Sequence, residues 1–301
     1  MVYYQGFVLE GFEGGLETQA LLFAVFLTLY MVTVLGNLAM IVVINLDARL
    51  HSPMYFFLKN LSFLDLCYSS VIAPNALANF FSPSKVITFA GCATQLFFFS
   101  LLVTTEGFLL GVMAYDRFMA ICSPLHYPIT MTPGICVQLV AFSFACGFSI
   151  SVVKVYFISS ATFCGSNVLN HFFCDISPIL KLACTDFSTA ELVDFVLAFI
   201  ILVFPLVATV LSYGHITLAV LRIPSATGRL RAFSTCASHL AVVTIFYMAM
   251  IFMYVRPQAI DSRSSNKFIS AVYTVLTPII NPLIYCLRNK EFKAALKKAL
   301  R

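Results

Sequence analysis

The stretch LLFAVFLTLYMVTVLGNLAMIVVI, residues 21–44, decides the fold because it contains no Asp, Glu, Lys or Arg. A helix needs roughly 20 apolar residues to cross the ~30 Å hydrocarbon core of a bilayer, and this stretch is long enough. The whole chain of 301 residues is 60% hydrophobic and 10% charged, with a mean hydropathy of +0.94. Soluble domains contain about 25% charged residues. Lipid must therefore be the solvent for most of this chain.

Seven segments qualify as membrane spans by length and apolarity. They are 20–45, 54–80, 90–121, 135–158, 192–221, 232–255 and 268–287. We expect an all-α membrane protein made of one domain, residues 1–301, with a seven-transmembrane helix bundle and its loops at 20–287. Residues 1–19 precede the first span. Residues 288–301 predict a short amphipathic helix, with Phe292, Leu296 and Leu300 on its apolar face.

The distribution of charge predicts the orientation in the membrane. Most of the 18 Lys and Arg residues lie in segments that share one side if the N-terminus is outside the cell. Cytoplasmic loops carry such an excess of basic residues. The sequence therefore predicts a multi-pass plasma-membrane protein with an extracellular N-terminus 1–19 and a basic helix 288–301 on the inner leaflet.

Four of the ten cysteines fall on the predicted outer side. Cys92 opens the third span, and Cys164, Cys174 and Cys184 lie in the loop between the fourth and fifth spans. The extracellular side is oxidising, so two disulfides are expected there. Spacing alone allows three pairings of four cysteines.

The third span ends in MAYDRFMAIC, residues 113–122, where Asp116 and Arg117 are adjacent. An arginine at the end of a membrane helix is costly unless a carboxylate pairs with it or it reaches the interface. Position alone is compatible with a simple interfacial anchor or with a switch that exchanges partners.

Asp65 and Glu106 are the acids placed deepest in the predicted spans, where an unpaired charge costs several kcal/mol. They could bind a hard cation such as sodium, share a proton, or form a hydrogen-bonded polar core without an ion. No other cofactor is required by any motif. No nucleophile or metal cluster accompanies the acids, so an enzyme is not expected.

Phe99, Ser100, Val103, Thr104 and Gly107 form a stripe on one face of the third span, at i, i+1, i+4, i+5 and i+8. The stripe lies in the outer half of the membrane. Lys154, near the outer end of the fourth span, is expected to extend to the lipid headgroups; facing a cavity is the alternative.

Seven strings carry a resemblance to a known family. They are Gly36-Asn37, LHSPMYFFLKNLSFLDLCYSS (50–70), MAYDRFMAICSPLHYPI (113–129), HFFCD (171–175), Ser212-Tyr213, RAFSTCASHL (231–240) and PIINPLIYCLRN (278–289). In this order and at these spans, the chain resembles a rhodopsin-like G-protein-coupled receptor, and within that superfamily an olfactory receptor. Phe118 stands where the family usually has tyrosine.

The resemblance implies roles for particular residues. Packed as in the family, Asn37 and Asn281 would be neighbours of Asp65 and Glu106 and would add amide oxygens to a sodium site. The disulfides would be Cys92–Cys174 and Cys164–Cys184, and Asp116 would hold Arg117 at rest. In the active receptor Arg117 would turn toward Tyr213, Tyr285 and the G protein, in an opening also bordered by Arg231 and His239. The odorant cavity would be lined by Phe99, Ser100, Val103, Thr104, Ala198, Ile201, Leu202, Tyr247, Met250, Ile251, Tyr254 and Thr274.

The resemblance implies a receptor for small, mostly apolar volatile molecules that activates a stimulatory olfactory-type G protein and raises cyclic AMP. An ion-coupled transporter or channel is the alternative, which only the two buried acids favour. A retinal protein would need a lysine in the last span, and 268–287 contains none. The expected partners are an odorant, the G protein and membrane lipids, and not nucleic acid.

Overall fold

The structure is a computed structural model. It describes residues 6–11, 14–82, 85–164, 166–169, 173–180, 182–186, 188–254, 271, 274–284 and 289–301.

Long apolar helices make up most of the described chain. They are α1 Leu16–Leu46, α2 Pro53–Phe80, α3 Phe89–Cys122, α5 Pro133–Ser160, α7 Ser188–Leu221 and α8 Ala226–Tyr254, with the shorter α9 at Thr274–Ile284. The short helices are α4 Tyr127–Thr130, α6 Ile176–Leu180 and α10 Lys290–Ala299, and a 3-10 turn covers Ala48–Leu50. The bounds of the first five predicted spans agree to within four residues, and α8 begins six residues before the predicted sixth span.

Five of these helices are long and apolar enough to cross a membrane by themselves, namely α1, α2, α3, α5 and α7. Helix α8 becomes a sixth span if its two parts, Ala226–Ser234 and Cys236–Ile251, are taken together across a bend of 44°. Helix α9 supplies the described part of the last predicted span. The predicted helical membrane fold is confirmed.

Local sequence signals define where several helices begin. Pro53 and Pro133 stand in the first turns of α2 and α5, where a missing N–H does no harm. Side chains cap three helices: the Thr88 hydroxyl accepts from the Gly91 N–H at 3.0 Å, Thr132 from Ile135 at 3.3 Å, and the Asn289 amide oxygen from Phe292 at 3.1 Å.

Helix α3 is the centre of the bundle and packs against α2, α5 and α7. In its most apolar stretch 72% of the residues are buried, compared with 22% in α7 and 28% in α1. The remaining apolar side chains of α1 and α7 face outward, and a membrane would cover them. Residues on α3 are therefore the ones that can join the two ends of the bundle.

A three-stranded sheet closes the bundle at the end where α3 begins. Strand β1 Gly6–Leu9 lies between β2 Val86–Thr88, which is antiparallel to it, and β3 Val168–Leu169, which is parallel. Phe7 and Leu9 of β1 are almost fully buried. The sequence prediction contained no sheet, because strands of two to four residues leave no periodic signal.

Both disulfides implied by the resemblance are formed, Cys92–Cys174 and Cys164–Cys184. The first ties the start of α3 to the segment that precedes α6. We call this end of the bundle the disulfide end. The other end, where α3 finishes at Cys122, is called the Arg117 end.

Helix α10 lies at the Arg117 end and is amphipathic, as predicted. Phe292 and Ala295 are buried in the core of the bundle. The Tyr55 hydroxyl of α2 lies 3.1 Å from Glu291 Oε2 and 3.2 Å from Asn289 Oδ1, and holds the start of α10. Much of the apolar face thus packs on protein; contact with lipid stays a prediction.

Candidate functional site

A cavity lies between four helices in the half of the bundle nearer the disulfide end. Its lining residues are Phe99, Ser100, Val103 and Thr104 of α3, Lys154 of α5, Ala198, Ile201 and Leu202 of α7, and Met250 of α8. The side-chain stripe that the sequence placed on α3 is therefore brought against three other helices. The cavity is narrow and has room for about one water molecule.

Of the four other residues that the sequence assigned to the cavity, three are described and are not among its lining residues. Ile251 is 38% exposed, because it follows Met250 and successive helix residues point about 100° apart. Thr274 lines a separate small cavity with Thr33 and Ser69. Tyr247 is buried and donates from its hydroxyl to the Gly107 carbonyl at 3.1 Å.

The side chain of Tyr254, the remaining one, lies outside the described part of the structure.

Lys154 does not extend to the headgroups, so that expectation was wrong. Its side chain is only 8% exposed, and Nζ lies 3.6 Å from Asp194 Oδ1 on α7. A carboxylate on the neighbouring helix supplies the counter-charge that makes burial of the ammonium tolerable. The cavity-facing alternative is the one that the structure supports.

At the Arg117 end, Asp116 and Arg117 form a nearly buried ion pair. Arg117 Nη2 lies 2.9 Å from Asp116 Oδ2, and Asp116 is fully buried. The other carboxylate oxygen accepts a 2.8 Å hydrogen bond from the Tyr127 hydroxyl. Burial and then the Asp116 charge raise the pKa of Tyr127, so its hydroxyl remains a donor at physiological pH.

Buried side chains connect α8 and α7 to the backbone of α3 between the cavity and the ion pair. His239 of α8 is fully buried, with Nε2 3.3 Å from the Leu110 carbonyl oxygen and Nδ1 hydrogen-bonded to the Tyr213 hydroxyl of α7. Tyr213 therefore contacts His239. Arg231 is exposed near the start of α8. Tyr285 lies outside the described residues.

Three of the polar residues deep in the bundle come together at Asp65. The Asn281 amide donates to Asp65 Oδ2, and the Asp65 and Glu106 carboxyl groups lie within hydrogen-bonding reach of each other. Asn37 donates to the Thr33 carbonyl at 2.9 Å and to the Pro278 carbonyl at 3.0 Å.

One oxygen of each of these four residues is buried without a hydrogen-bond partner in the described chain. The oxygens are Asn37 Oδ1, Asp65 Oδ1, Glu106 Oε1 and Asn281 Oδ1. Buried acceptors without a hydrogen-bond partner are rare, and a proton, a water molecule or a cation bound there would satisfy them.

Two residues of these sites were missed in the sequence. Tyr127 lies within a motif of the resemblance, but no periodicity relates it to Asp116. Asp194 could have been paired with Lys154, since each is the charged residue nearest the same end of neighbouring apolar spans. That signal specifies a depth in the membrane but not which faces of the helices meet.

Comparison with known proteins bears on the whole bundle. The sequence model of the family described as olfactory receptor matches residues 26–301. The chain is 69% identical to human olfactory receptor 6B2, over 98% of this chain and 94% of that protein. It is 68% identical to human olfactory receptor 6B3, over 97% and 88%, and 58% identical to mouse olfactory receptor 6B9, over 98% and 93%. With its apolar helices and its two disulfides, the chain belongs to the olfactory receptor family of multi-pass membrane G-protein-coupled receptors.

Proposed function

We propose that the protein is a plasma-membrane odorant receptor that binds small, mostly apolar volatile molecules in the cavity beside Ser100 and Met250. Binding activates a stimulatory olfactory-type G protein and raises cyclic AMP. The observation that carries the proposal is the cluster of Asp116, Arg117 and Tyr127, which is closed at one end of α3 while the cavity borders the same helix nearer its other end.

Charge and chemistry support an orientation with the disulfide end outside the cell. The extracellular side is oxidising and permits Cys92–Cys174 and Cys164–Cys184 to form. The Arg117 end carries the basic residues of α10 and of the α7–α8 connection, which the anionic inner leaflet attracts.

The contacts between α8 and α3 supply the connection between cavity and G protein. Thr104 in the cavity and Arg117 are about 20 Å apart along α3. Between them, Tyr247 is bonded to the Gly107 carbonyl and His239 to the Leu110 carbonyl. An outward movement of α8 breaks both contacts, frees Tyr213 from His239, and offers Arg117 a new partner in place of Asp116.

An odorant drives this change only if it binds the open arrangement more tightly than the closed one. The narrow cavity provides such a difference. An odorant larger than one water molecule must push Met250 of α8 away from Phe99 of α3, and it therefore favours the arrangement in which α8 has moved outward.

Replacing Arg117 with Ala tests the proposal. The odorant-driven cyclic AMP response should be lost while an epitope on the N-terminus remains detectable on unpermeabilised cells. Arg222→Ala is the matched control, because Arg222 is an exposed arginine at the end of α7. A full response from Arg117→Ala would refute the switch.

The four unsatisfied oxygens around Asp65 fit a sodium ion, which we propose as a second ligand of the resting receptor. Carboxylate and amide oxygens are the ligands that hard cations prefer, and a cation would neutralise a buried carboxylate. Asn37, Asp65, Glu106 and Asn281 would hold it. A proton shared by Asp65 and Glu106 is the competing explanation.

Sodium dependence of stability separates the two explanations. In detergent, replacing choline chloride by sodium chloride at constant ionic strength should raise the unfolding temperature of the wild type. Asp65→Asn and Glu106→Gln should both remove this increase. If the wild type has the same unfolding temperature in both salts, the sodium site is refuted.

A further inference from the structure

The cavity contains charged and polar groups that an apolar ligand does not use. Lys154 lines it with a side chain 8% exposed, and Asp194 of α7, which is not itself a lining residue, lies 3.6 Å from Lys154 Nζ. Ser100 lines it one turn of α3 above Thr104 and is 3% exposed. Burying such groups is costly unless they are hydrogen-bonded, so their presence against a cavity indicates a polar ligand group.

Two of these groups have unused hydrogen-bonding capacity. In the described chain, Ser100 Oγ and Asp194 Oδ1 are buried atoms without a hydrogen-bond partner. The 3.6 Å between Lys154 Nζ and Asp194 Oδ1 exceeds the 2.7–3.2 Å that is usual for an N–H···O bond. Asp194 Oδ1 can only accept, whereas the Ser100 hydroxyl can donate or accept.

The surrounding charge restricts the ligand to a neutral molecule. Among the described residues, Lys154 interacts electrostatically with Asp175 as well as with Asp194. Desolvation raises the pKa of Asp175 and Lys154 acts against it. A carboxylate ligand would bring a third acid to this cation, and an ammonium ligand would face Lys154 itself.

We propose that the cavity recognises the hydroxyl group of an alcohol, which bridges Lys154 and Asp194. Because Lys154 Nζ and Asp194 Oδ1 are 3.6 Å apart, a hydroxyl oxygen can lie about 2.8 Å from both atoms at once. Its O–H donates to Asp194 Oδ1, and its lone pairs accept from Lys154 and Ser100. An aldehyde, ketone or ether cannot donate to Asp194. The inference rests on the proposed function and gives its ligand a chemical class.

The probes are one straight-chain alcohol and the alkane, methyl ether, aldehyde and carboxylate of the same chain length. The wild type should respond to the alcohol at a concentration at least tenfold lower than to its methyl ether. Comparing two ligands on one variant removes differences in surface expression. If the aldehyde or the carboxylate is the stronger ligand, or the ether equals the alcohol, the inference is overturned.

Two variants test the residues. Lys154→Met with Asp194→Leu replaces the ion pair by apolar groups, which proteins usually tolerate better than loss of one partner. This double variant should lower the alcohol-to-ether preference to near one. Ser100→Ala should lower the preference for the alcohol over the alkane three- to tenfold, the loss of about one hydrogen bond, because the alkane has no oxygen to accept from Ser100. Glu191→Gln, an exposed acid one turn before Asp194, is the control and should keep both preferences.

An alcohol-to-ether preference unchanged in the double variant, or an alcohol-to-alkane preference unchanged in Ser100→Ala, overturns the inference even if the wild type prefers the alcohol. A wild type that ignores the whole series but responds within a broad odorant panel also overturns it and leaves the proposed function intact. Failure of the wild type to raise cyclic AMP with any odorant refutes the proposed function itself.

Discussion

The close approach of α5 to α3 at Gly147 predicts that Gly147→Ala destabilises the receptor. A Cβ atom there would lie 2.5 Å from Thr105 Oγ1, 2.7 Å from the Leu101 carbonyl oxygen and 3.1 Å from Leu101 Cδ1. The Thr105 hydroxyl donates to that same carbonyl at 2.6 Å, so it cannot simply turn away. The two helices must separate.

The size of the effect follows from these contacts. Overpacking a close-packed core costs about 1–3 kcal/mol, and a clash with backbone belongs at the upper end of that range. Alanine is more favourable than glycine inside a helix by about 0.5–1 kcal/mol, which offsets part of this cost. We expect a net loss of about 2 kcal/mol, or roughly a thirtyfold fall in the ratio of folded to unfolded protein.

Gly134, on the same helix, is the matched control because a Cβ there meets nothing within 4 Å. Gly134→Ala should leave stability unchanged or slightly improved. The assay heats purified receptor in detergent with a thiol-reactive dye, since Cys136 and Cys236 are buried until the bundle unfolds. Equal unfolding midpoints for the two variants would show that the reasoning about α3 and α5 is mistaken.

Two further predictions concern tyrosines at the Arg117 end. Tyr127→Phe removes a hydrogen bond to the Asp116 carboxylate and so destabilises the closed state by about 1–1.5 kcal/mol. Odorant-free cyclic AMP should rise about five- to tenfold per receptor at the cell surface. An unchanged basal signal contradicts this. Tyr55→Phe removes the contacts to Glu291 and Asn289 and should speed amide hydrogen exchange in α10 while leaving α3 protected. If the amides of α10 exchange at the same rate in Tyr55→Phe and in the wild type, the contacts of Tyr55 do not stabilise α10 and the burial of Phe292 is sufficient.

Features that depend on local composition were predictable from the sequence. In lipid every polar backbone group must be paired, so a long apolar segment forms a helix along its whole length. The lengths of the apolar segments therefore predict where helices such as α1 and α3 begin and end. The side-chain stripe from Phe99 to Thr104 follows from the helical repeat. The disulfide pairing followed from the resemblance, since spacing alone left three arrangements.

Features that depend on how helices rotate and meet were not predictable in this way. Met250 faces the cavity and Ile251 faces outward because of the rotation of α8 about its axis, which packing and its bend determine. Lys154 was assigned to the headgroups because its partner, Asp194, is on another helix. The pairing of β1 with β2 and β3 joins segments far apart in the chain, and none of them has a strand signal of its own.

If odorants bind in the cavity, as proposed, its narrowness limits how firmly they are held. Each molecule must first separate Phe99, Leu202 and Met250, and the work of expansion is subtracted from the energy of its contacts. Met250 adapts readily because its side chain is unbranched. Modest affinity goes with fast dissociation, so the proposed site would follow a scent whose strength is changing.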